Sequence, residues 1–251
     1  MFFLVGSGLW RGDDITVRGA EICKKCSKVY LDRYTRAFEE KEFERLEKII
    51  DKKIIKLERK ELEETLNFLN ESEEEDVCLI VPGDPLIATT HITIIEECKK
   101  RNLNYEIVHG SSIFTALPGE SGLMTYKIGG SCTIPMREKK IIPYSIYDKI
   151  LENKKRGYHT LVFLDTTPEK EMDISEAMGI MQEIEKEKNM KIFDNESKII
   201  VGSCMGSEKQ KVSYEKIIEL KKKNFEKPCT LIVPGNLHFS EKEFLEKIEK
   251  G

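Results

Sequence analysis

The segment Val77-Cys78-Leu79-Ile80-Val81-Pro82-Gly83-Asp84-Pro85 decides the fold, because it places an unbroken apolar run directly before a sharp turn. Five consecutive apolar residues without polar alternation predict a central β-strand that is covered on both faces. Pro82 and Pro85 fix the backbone around the turn, so Asp84 projects from the end of the strand. Asp84 is then either a ligand-binding acceptor or a simple turn residue. We expect Thr89 or Thr90 to be the N-cap of the next helix.

Short apolar runs alternate with amphipathic segments on both sides of this strand, which predicts crossover units and a largely parallel sheet. The other strands predicted in the first half are residues 2–5, 28–31, 54–57 and 105–108. The predicted helices are residues 17–27, 40–50, 61–69 and 92–101.

The second half combines extended segments with helices and is expected to contain more antiparallel pairing. Its predicted extended segments are residues 124–128, 132–135, 160–164, 199–203 and 230–233. Its predicted helices are residues 146–156, 174–188, 214–222 and 241–250. We therefore predict two α/β domains, residues 1–112 and residues 113–251, the second with a mixed sheet. A cleft between two such domains is the default place for a ligand.

Two further turns follow predicted strands, and in an open α/β sheet such turns meet at the edge where ligands bind. The first covers residues 6–16, where Asp14 or Thr16 is expected to cap the following helix. Its glycine spacing does not fit the GxGxxG fingerprint, which argues against a nicotinamide or flavin cofactor. The second covers residues 109–119, where Ser111 and Ser112 either cap a short helix or contact a ligand.

Composition excludes several classes of protein. The 251 residues include 39% hydrophobic and 34% charged residues, as in a folded, water-soluble chain, and the formal net charge of −4 argues against general nucleic-acid binding. We expect a cytoplasmic protein, because no segment has the features of a signal peptide or of a membrane-spanning helix. The seven scattered cysteines are typical of free thiols. Cys23 and Cys26 are expected to pack in a helix rather than to bind zinc, and no metal site is predicted.

Several motifs, in this order and spacing, resemble the diphthine synthases within the tetrapyrrole methylase superfamily. The motifs are Val5-Gly6-Ser7-Gly8-Leu9, Asp14-Ile15-Thr16-Val17-Arg18-Gly19, Gly83-Asp84-Pro85, Ala88-Thr89-Thr90-His91, His109 with Ser112-Ile113, Tyr126-Lys127-Ile128-Gly129, Gly157-Tyr158-His159-Thr160-Leu161, Leu164-Asp165 and Val233-Pro234-Gly235-Asn236-Leu237-His238. Gly-Asp-Pro suits any member of the superfamily, whereas Ala-Thr-Thr-His together with Pro-Gly-x-Leu-His is specific to diphthine synthases.

The resemblance implies a two-domain tetrapyrrole methylase-like fold, a homodimer, and S-adenosyl-L-methionine bound in the cleft between the domains. It also implies methylation of the aminocarboxypropyl side chain on a histidine of translation elongation factor 2, with release of S-adenosyl-L-homocysteine. By position, the cofactor-binding residues of the family fall on Leu9, Asp84, Ile87, Ser112, Ile113, Leu164, Tyr214 and His238.

The chain departs from the family pattern at three places. Ser203-Cys204-Met205-Gly206 stands where relatives usually have Ala-Arg-x-Gly. Tyr214-Glu215 replaces an Ala-Gly pair, which makes Tyr214 the least secure of the assigned residues. The segment of residues 117–122 is one residue longer than usual, at the lip of the expected cleft.

Methyl transfer from a sulfonium requires a neutral amine and correct positioning, and it requires no nucleophilic triad or metal. We therefore name no catalytic residue and no general base, since bulk water can take the proton at an open cleft. His238 is the histidine most expected to contact the cofactor, and His159 is expected to be structural. Two alternatives stay open: a methyltransferase acting on tetrapyrroles with the same fold, and a non-catalytic nucleotide-binding or interaction module.

Overall fold

The computed structural model describes residues 1–33, 39–137, 142–167 and 170–250. Its backbone divides into two compact units, Met1–Ile113 and Phe114–Gly251. No helix of the described segments has both the length and the apolar character needed to cross a membrane. Each unit contains one five-stranded sheet.

The sheet of the first unit is entirely parallel, with strand order β3-β2-β4-β1-β5. The strands are β1 (Phe2–Gly6), β2 (Lys28–Asp32), β3 (Ile54–Leu57), β4 (Val77–Val81) and β5 (Tyr105–Val108). The helices are α1 (Val17–Lys25), α2 (Glu40–Ile50) and α3 (Ile92–Lys100), with short 3-10 or π-helical turns at Gly12–Asp14, Glu61–Thr65 and Asn67–Glu73. Strand β4 is buried along its whole length, as its sequence predicts.

Apolar side chains cover both faces of this sheet and form a separate core on each face. Because neighbouring residues of a strand point to opposite faces, Cys78 and Ile80 belong to one core while Leu79 and Val81 belong to the other. Cys23 and Cys26 lie in the first of these cores, which confirms the prediction that they pack. The expected helix ends earlier than predicted, at Lys25, so Cys26 lies just beyond it.

The sheet of the second unit is mixed, with strand order β6-β7-β10-β8-β9. Strand β6 is parallel to β7, and the remaining pairs are antiparallel. The strands are β6 (Cys132–Ile134), β7 (Thr160–Leu164), β8 (Lys198–Ser203), β9 (Lys211–Lys216) and β10 (Cys229–Val233). The helices are α4 (Ile113–Glu120), α5 (Tyr144–Lys155), α6 (Ile174–Lys188), α7 (Ile217–Leu220) and α8 (Phe239–Lys250), with a 3-10 turn at Thr125–Lys127.

Three predicted elements were wrong. The helix predicted for residues 214–222 is instead the end of edge strand β9 followed by the short helix α7, because pairing with β8 overrides local helix propensity. The helix predicted for residues 61–69 is broken at Leu66, whose φ of +48° ends the π-helical turn. The segment of residues 124–128, predicted to be extended, forms the 3-10 turn.

Candidate functional site

Three loops of the first unit start at the same edge of its sheet. Strands β4, β1 and β5 are parallel neighbours in that order, so the loops that follow them leave the sheet side by side. These loops are the segments 7–16, 82–91 and 109–112. They carry Leu9, Asp84, Ile87 and Ser112, and Ile113 follows as the first residue of α4. The structure therefore brings five of the eight predicted cofactor-binding residues to one edge.

Glycines hold these loops close together through backbone contacts. Gly8 and Gly83 exchange two backbone hydrogen bonds, of 2.8 and 3.2 Å between nitrogen and oxygen. A Cβ added to Gly6 or to Gly110 would lie 2.6 Å from the carbonyl oxygen of Gly83, which is closer than any side chain tolerates. The glycine turns noted in the sequence are therefore required for the close approach of the loops.

Asp84 is a buried carboxylate whose two oxygens have different partners. Its Oδ1 accepts a hydrogen bond from the backbone N–H of Leu86 at 3.0 Å. Its Oδ2 lies 2.7 Å from Nδ1 of His109, whose side chain is 68% exposed. Asp84 therefore shapes its own turn and also contacts a side chain from another loop. Sequence analysis did not predict this pairing with His109.

The loop after β4 is braced by polar side chains that converge on the carbonyl oxygen of Pro85. The hydroxyl of Thr89 donates to it at 2.7 Å, and Nδ1 of the buried His91 lies 3.2 Å from it. The other ring nitrogen of His91, Nε2, lies 3.3 Å from the fully buried carboxylate of Asp32 at the end of β2. The predicted N-cap was wrong: His91 occupies the cap position of α3, because the Thr89 side chain turns back to Pro85.

The loop after β1 is held by side chains close to it in the sequence. The hydroxyl of Thr16 accepts a hydrogen bond from the backbone N–H of Gly19, which confirms Thr16 as the cap of α1. Asp14 instead accepts from the backbone N–H groups of Trp10 and Arg11, each at 2.8 Å. These contacts fix the half-buried Leu9 between two ordered segments.

The other three predicted residues lie in the second unit and are spread over its sheet. Leu164 is buried at the carboxyl end of β7, and the largely buried Tyr214 lies on edge strand β9. Exposed His238 directly precedes α8, near the amino end of β7. Because β7 rises about 3.3 Å per residue, roughly 13 Å separates its first and last residues. Leu164 and His238 therefore lie toward opposite ends of β7.

A network around Glu241 organises the loop that carries His238. The fully buried carboxylate of Glu241 accepts from the backbone N–H groups of Met124 and His238, at 2.9 and 2.7 Å, and from Nζ of Lys127 at 2.6 Å. Nε2 of His159 lies 3.2 Å from the same carboxylate, and Nδ1 of His159 accepts from the backbone N–H of Gly235 at 2.9 Å. His159 is fully buried, in agreement with the expectation that it is structural.

The charges of this network shift two pKa values. Burial alone would raise the pKa of the Glu241 carboxyl, but the Lys127 ammonium and the backbone N–H groups lower it to about 2. Burial lowers the pKa of His159, and the negative charge of Glu241 opposes this only in part. Glu241 is therefore a carboxylate and His159 a neutral imidazole at neutral pH. Neither was a predicted site residue, since their partners are distant in sequence.

No group of three or more His, Cys, Asp or Glu side chains in the described ranges is arranged to hold a metal ion. A parallel sheet with glycine loops and a buried carboxylate at its edge suits an organic ligand with hydroxyl or ammonium groups, because a carboxylate accepts hydrogen bonds from both.

Comparison with known proteins agrees with this architecture. Residues 1–221 match the family model for Tetrapyrrole (Corrin/Porphyrin) Methylases. The diphthine synthase of Methanococcus aeolicus is 36% identical over 250 residues, which cover 98% of this chain and 97% of that protein. The diphthine synthase of Methanosphaera stadtmanae is 34% identical and covers 98% and 94%.

Solved structures show the same relationship. A crystal structure of diphthine synthase has a TM-score of 0.87 and 32% identity, and the alignment covers 99% of this chain and 96% of that one. The structure of a putative diphthine synthase from Entamoeba histolytica has a TM-score of 0.89 and 30% identity, with 99% and 98% covered.

Fold and relatives define an S-adenosylmethionine-dependent methyltransferase with the tetrapyrrole methylase fold. Within that class, the chain is similar in sequence to diphthine synthases, which are enzymes of diphthamide biosynthesis, over nearly its whole length. The chain belongs to the diphthine synthase family. The fold class and the family resemblance predicted from the sequence are thereby confirmed.

Proposed function

We propose that this protein methylates, more than once, the amino group of the aminocarboxypropyl side chain carried by a histidine of translation elongation factor 2. The observation that supports the proposal is the sequence identity of 36% and 34% to two diphthine synthases over 98% of the chain. The same identity favours a protein substrate over a tetrapyrrole, although both use this fold. We further propose that the protein is a cytoplasmic homodimer that requires neither a membrane nor a nucleic acid.

The first-unit edge fits S-adenosylmethionine as a ligand. A Cβ added to Gly83 would meet no atom within 4 Å, so there is open space beside the turn that carries Asp84. Ile87, three residues further on, leaves 36% of its surface exposed and offers an apolar contact. Buried Asp84 offers carboxylate lone pairs for ribose hydroxyls or for a cationic group. Ile87 is therefore complementary to the apolar part of the cofactor, and Asp84 is complementary to its hydroxyl or cationic groups.

We propose that eight residues bind the cofactor: Leu9, Asp84, Ile87, Ser112, Ile113, Leu164, Tyr214 and His238. Bound S-adenosylmethionine supplies a methyl group on a sulfonium sulfur. The protein holds the acceptor nitrogen in line with that methyl group, and this positioning is its main contribution to the rate. S-adenosylhomocysteine leaves after each transfer.

The cofactor site is tested by replacing Asp84 with alanine. We expect Asp84→Ala to weaken S-adenosylhomocysteine binding about 10- to 100-fold, the usual effect of removing one charged hydrogen-bond partner. Isothermal calorimetry measures the affinity, and circular dichroism checks that the variant is folded. Glu96→Ala, on the exposed side of α3, is the matched control and should bind normally. Unchanged affinity in Asp84→Ala would remove Asp84 from the site.

The substrate is tested by incubating the protein with S-adenosylmethionine and elongation factor 2 that carries the unmethylated side chain. Mass spectrometry of the modified peptide should show successive methyl additions and gives their number. A uroporphyrinogen-type tetrapyrrole in place of the factor should remain unmethylated. Methylation of the tetrapyrrole alone, or no binding of S-adenosylhomocysteine at high micromolar concentration, would refute the proposed function.

A further inference from the structure

His109 and Asp84 form a carboxylate–imidazole pair at the edge where the three loops meet. Nδ1 of His109 lies 2.7 Å from Oδ2 of Asp84. The Asp84 side chain is 10% exposed, whereas that of His109 is 68% exposed. The buried member of the pair is thus the carboxylate, and the imidazole is the member that solvent or a substrate reaches.

The hydrogen bond to Asp84 determines which nitrogen of His109 is free to react. A carboxylate only accepts hydrogen bonds, so Nδ1 must carry the hydrogen that points to Asp84. In the neutral ring Nε2 then has the lone pair, and it points away from Asp84. A carboxylate that fixes the tautomer in this way prepares an imidazole to accept a proton at Nε2.

The proposed reaction has a step that requires such a group. An alkylamine is an ammonium ion at neutral pH and has no lone pair until it loses a proton. In repeated methylation the amine must lose a proton before every transfer, because each methyl transfer to a neutral amine produces an ammonium ion again. Only the trimethylammonium product has no proton to lose.

We propose that His109 is the proton acceptor of the methyl transfer, oriented by Asp84; this inference rests on the proposed function. Nε2 takes a proton from the substrate ammonium, and the electrons of that N–H bond become the lone pair of nitrogen. The lone pair forms the new N–C bond while the C–S bond breaks and its electrons stay on sulfur. His109 then passes its proton to water and is neutral again for the next round.

Asp84 can orient His109 and still take part in cofactor binding, because each carboxylate oxygen accepts more than one hydrogen bond. The hydrogen bond from Leu86 to Oδ1 holds the carboxylate in place from the other side. The two roles of Asp84 predict that its replacement harms both affinity and rate. Replacement of His109 should harm the rate alone, and this difference separates the two residues experimentally.

The test compares the full-length wild type with His109→Gln, using elongation factor 2 as substrate under single-turnover conditions over a range of pH. Wild type should show a plateau between the titration of an imidazole and that of the substrate amine. In His109→Gln the rate should instead rise tenfold per pH unit up to the amine titration. Near pH 7 we expect the variant to be about 100-fold slower, and added imidazole should restore part of the rate.

Two control measurements separate a failure of this inference from a failure of the proposed function. Calorimetry should give His109→Gln the wild-type affinity for S-adenosylhomocysteine, and Glu106→Gln, on the same strand, should keep the wild-type rate. A wild-type rate and plateau in His109→Gln would overturn the role of His109, and so would a loss of rate explained by lost cofactor affinity. Wild type that binds the cofactor product but never methylates the factor would instead refute the proposed function.

Discussion

Each unit of the protein contains one fully or nearly fully buried histidine next to a buried carboxylate, but the two rings have different backbone partners. In the first unit His91 lies between the Pro85 carbonyl and Asp32. In the second, His159 lies between the Gly235 backbone N–H and Glu241. The two imidazole rings therefore face different backbone groups, a carbonyl in the case of His91 and an N–H group in the case of His159.

The partners of the two rings differ in kind. Both ring nitrogens of His91 face oxygen acceptors, the Pro85 carbonyl and the Asp32 carboxylate. His159 accepts at Nδ1 and donates at Nε2, so it is neutral. The negative charge of Glu241 is balanced by Lys127 rather than by the histidine.

Two buried histidine–carboxylate pairs can therefore place different demands on the imidazole ring. Burial requires every polar group to have a partner, and the backbone group on the far side of the ring decides the tautomer. A carbonyl on that side can only accept a hydrogen bond from the ring, whereas an N–H group donates one to it. In both units the pair fixes a loop that follows a central strand.

The largest effect should come from Glu241→Gln. The change leaves four donors, from Met124, His159, Lys127 and His238, facing an amide that is itself partly a donor. Loss of one partner of a buried ion pair typically costs about 3 kcal/mol of unfolding free energy. Urea denaturation followed by far-ultraviolet circular dichroism measures the loss.

Glu243→Gln, on the exposed side of α8, is the control for Glu241→Gln and should change the unfolding free energy little. Trp10 is the single tryptophan of the chain and lies in the first unit. Its fluorescence therefore reports the unfolding of the first unit, whereas Glu241 lies in the second unit, so circular dichroism is the measurement for Glu241→Gln. A stability of Glu241→Gln equal to that of wild type would show that the four donors find other partners.

A smaller effect should distinguish the two histidines directly. Glutamine offers one acceptor and one donor group, so it can replace neutral His159 but cannot serve the two acceptors around His91. We expect His91→Gln to lower the unfolding free energy by about 2 kcal/mol and His159→Gln by about 1 kcal/mol. Trp10 fluorescence follows the first variant and circular dichroism the second. Equal costs would show that the difference in hydrogen-bond partners has no effect on stability.

Strand positions were predicted well where the sequence has a continuous apolar run. The predicted bounds of β4 are those of the structure, since burial on both faces leaves one interpretation for such a run. The predicted bounds of edge strands β3 and β5 also match, although these strands are only partly buried. The last three residues of strand β9, residues 214–216, were predicted as part of a helix, because their extended form depends on pairing with β8.

Site residues were likewise predicted where the local sequence determines their position and missed where a contact depends on the tertiary fold. The placement of Asp84 at the end of a strand came from the local sequence. Its partner His109 lies 25 residues further on, and the contact depends on strand order, which local patterns do not determine. The donors around Glu241 include Met124, 117 residues away, so this network also lay beyond sequence reasoning.

The smallest effect is a dependence of stability on pH that should come from His159. Its pKa is lowered in the folded protein, so below the ordinary value of 6.5 the unfolded chain binds a proton that the folded chain does not. Stability should therefore fall as the pH drops from 7 to 5, by at most about 1.4 kcal/mol per pH unit for one proton. The Glu241 carboxyl contributes only at lower pH, between its unfolded value of 4.5 and its folded value of about 2. Hydrogen–deuterium exchange of residues 234–241 should accelerate over this range in wild type, after correction for intrinsic exchange, and less in His159→Gln. An equal acceleration in both proteins would mean that the proton binds elsewhere, and the neutral state assigned to His159 would lose its thermodynamic support.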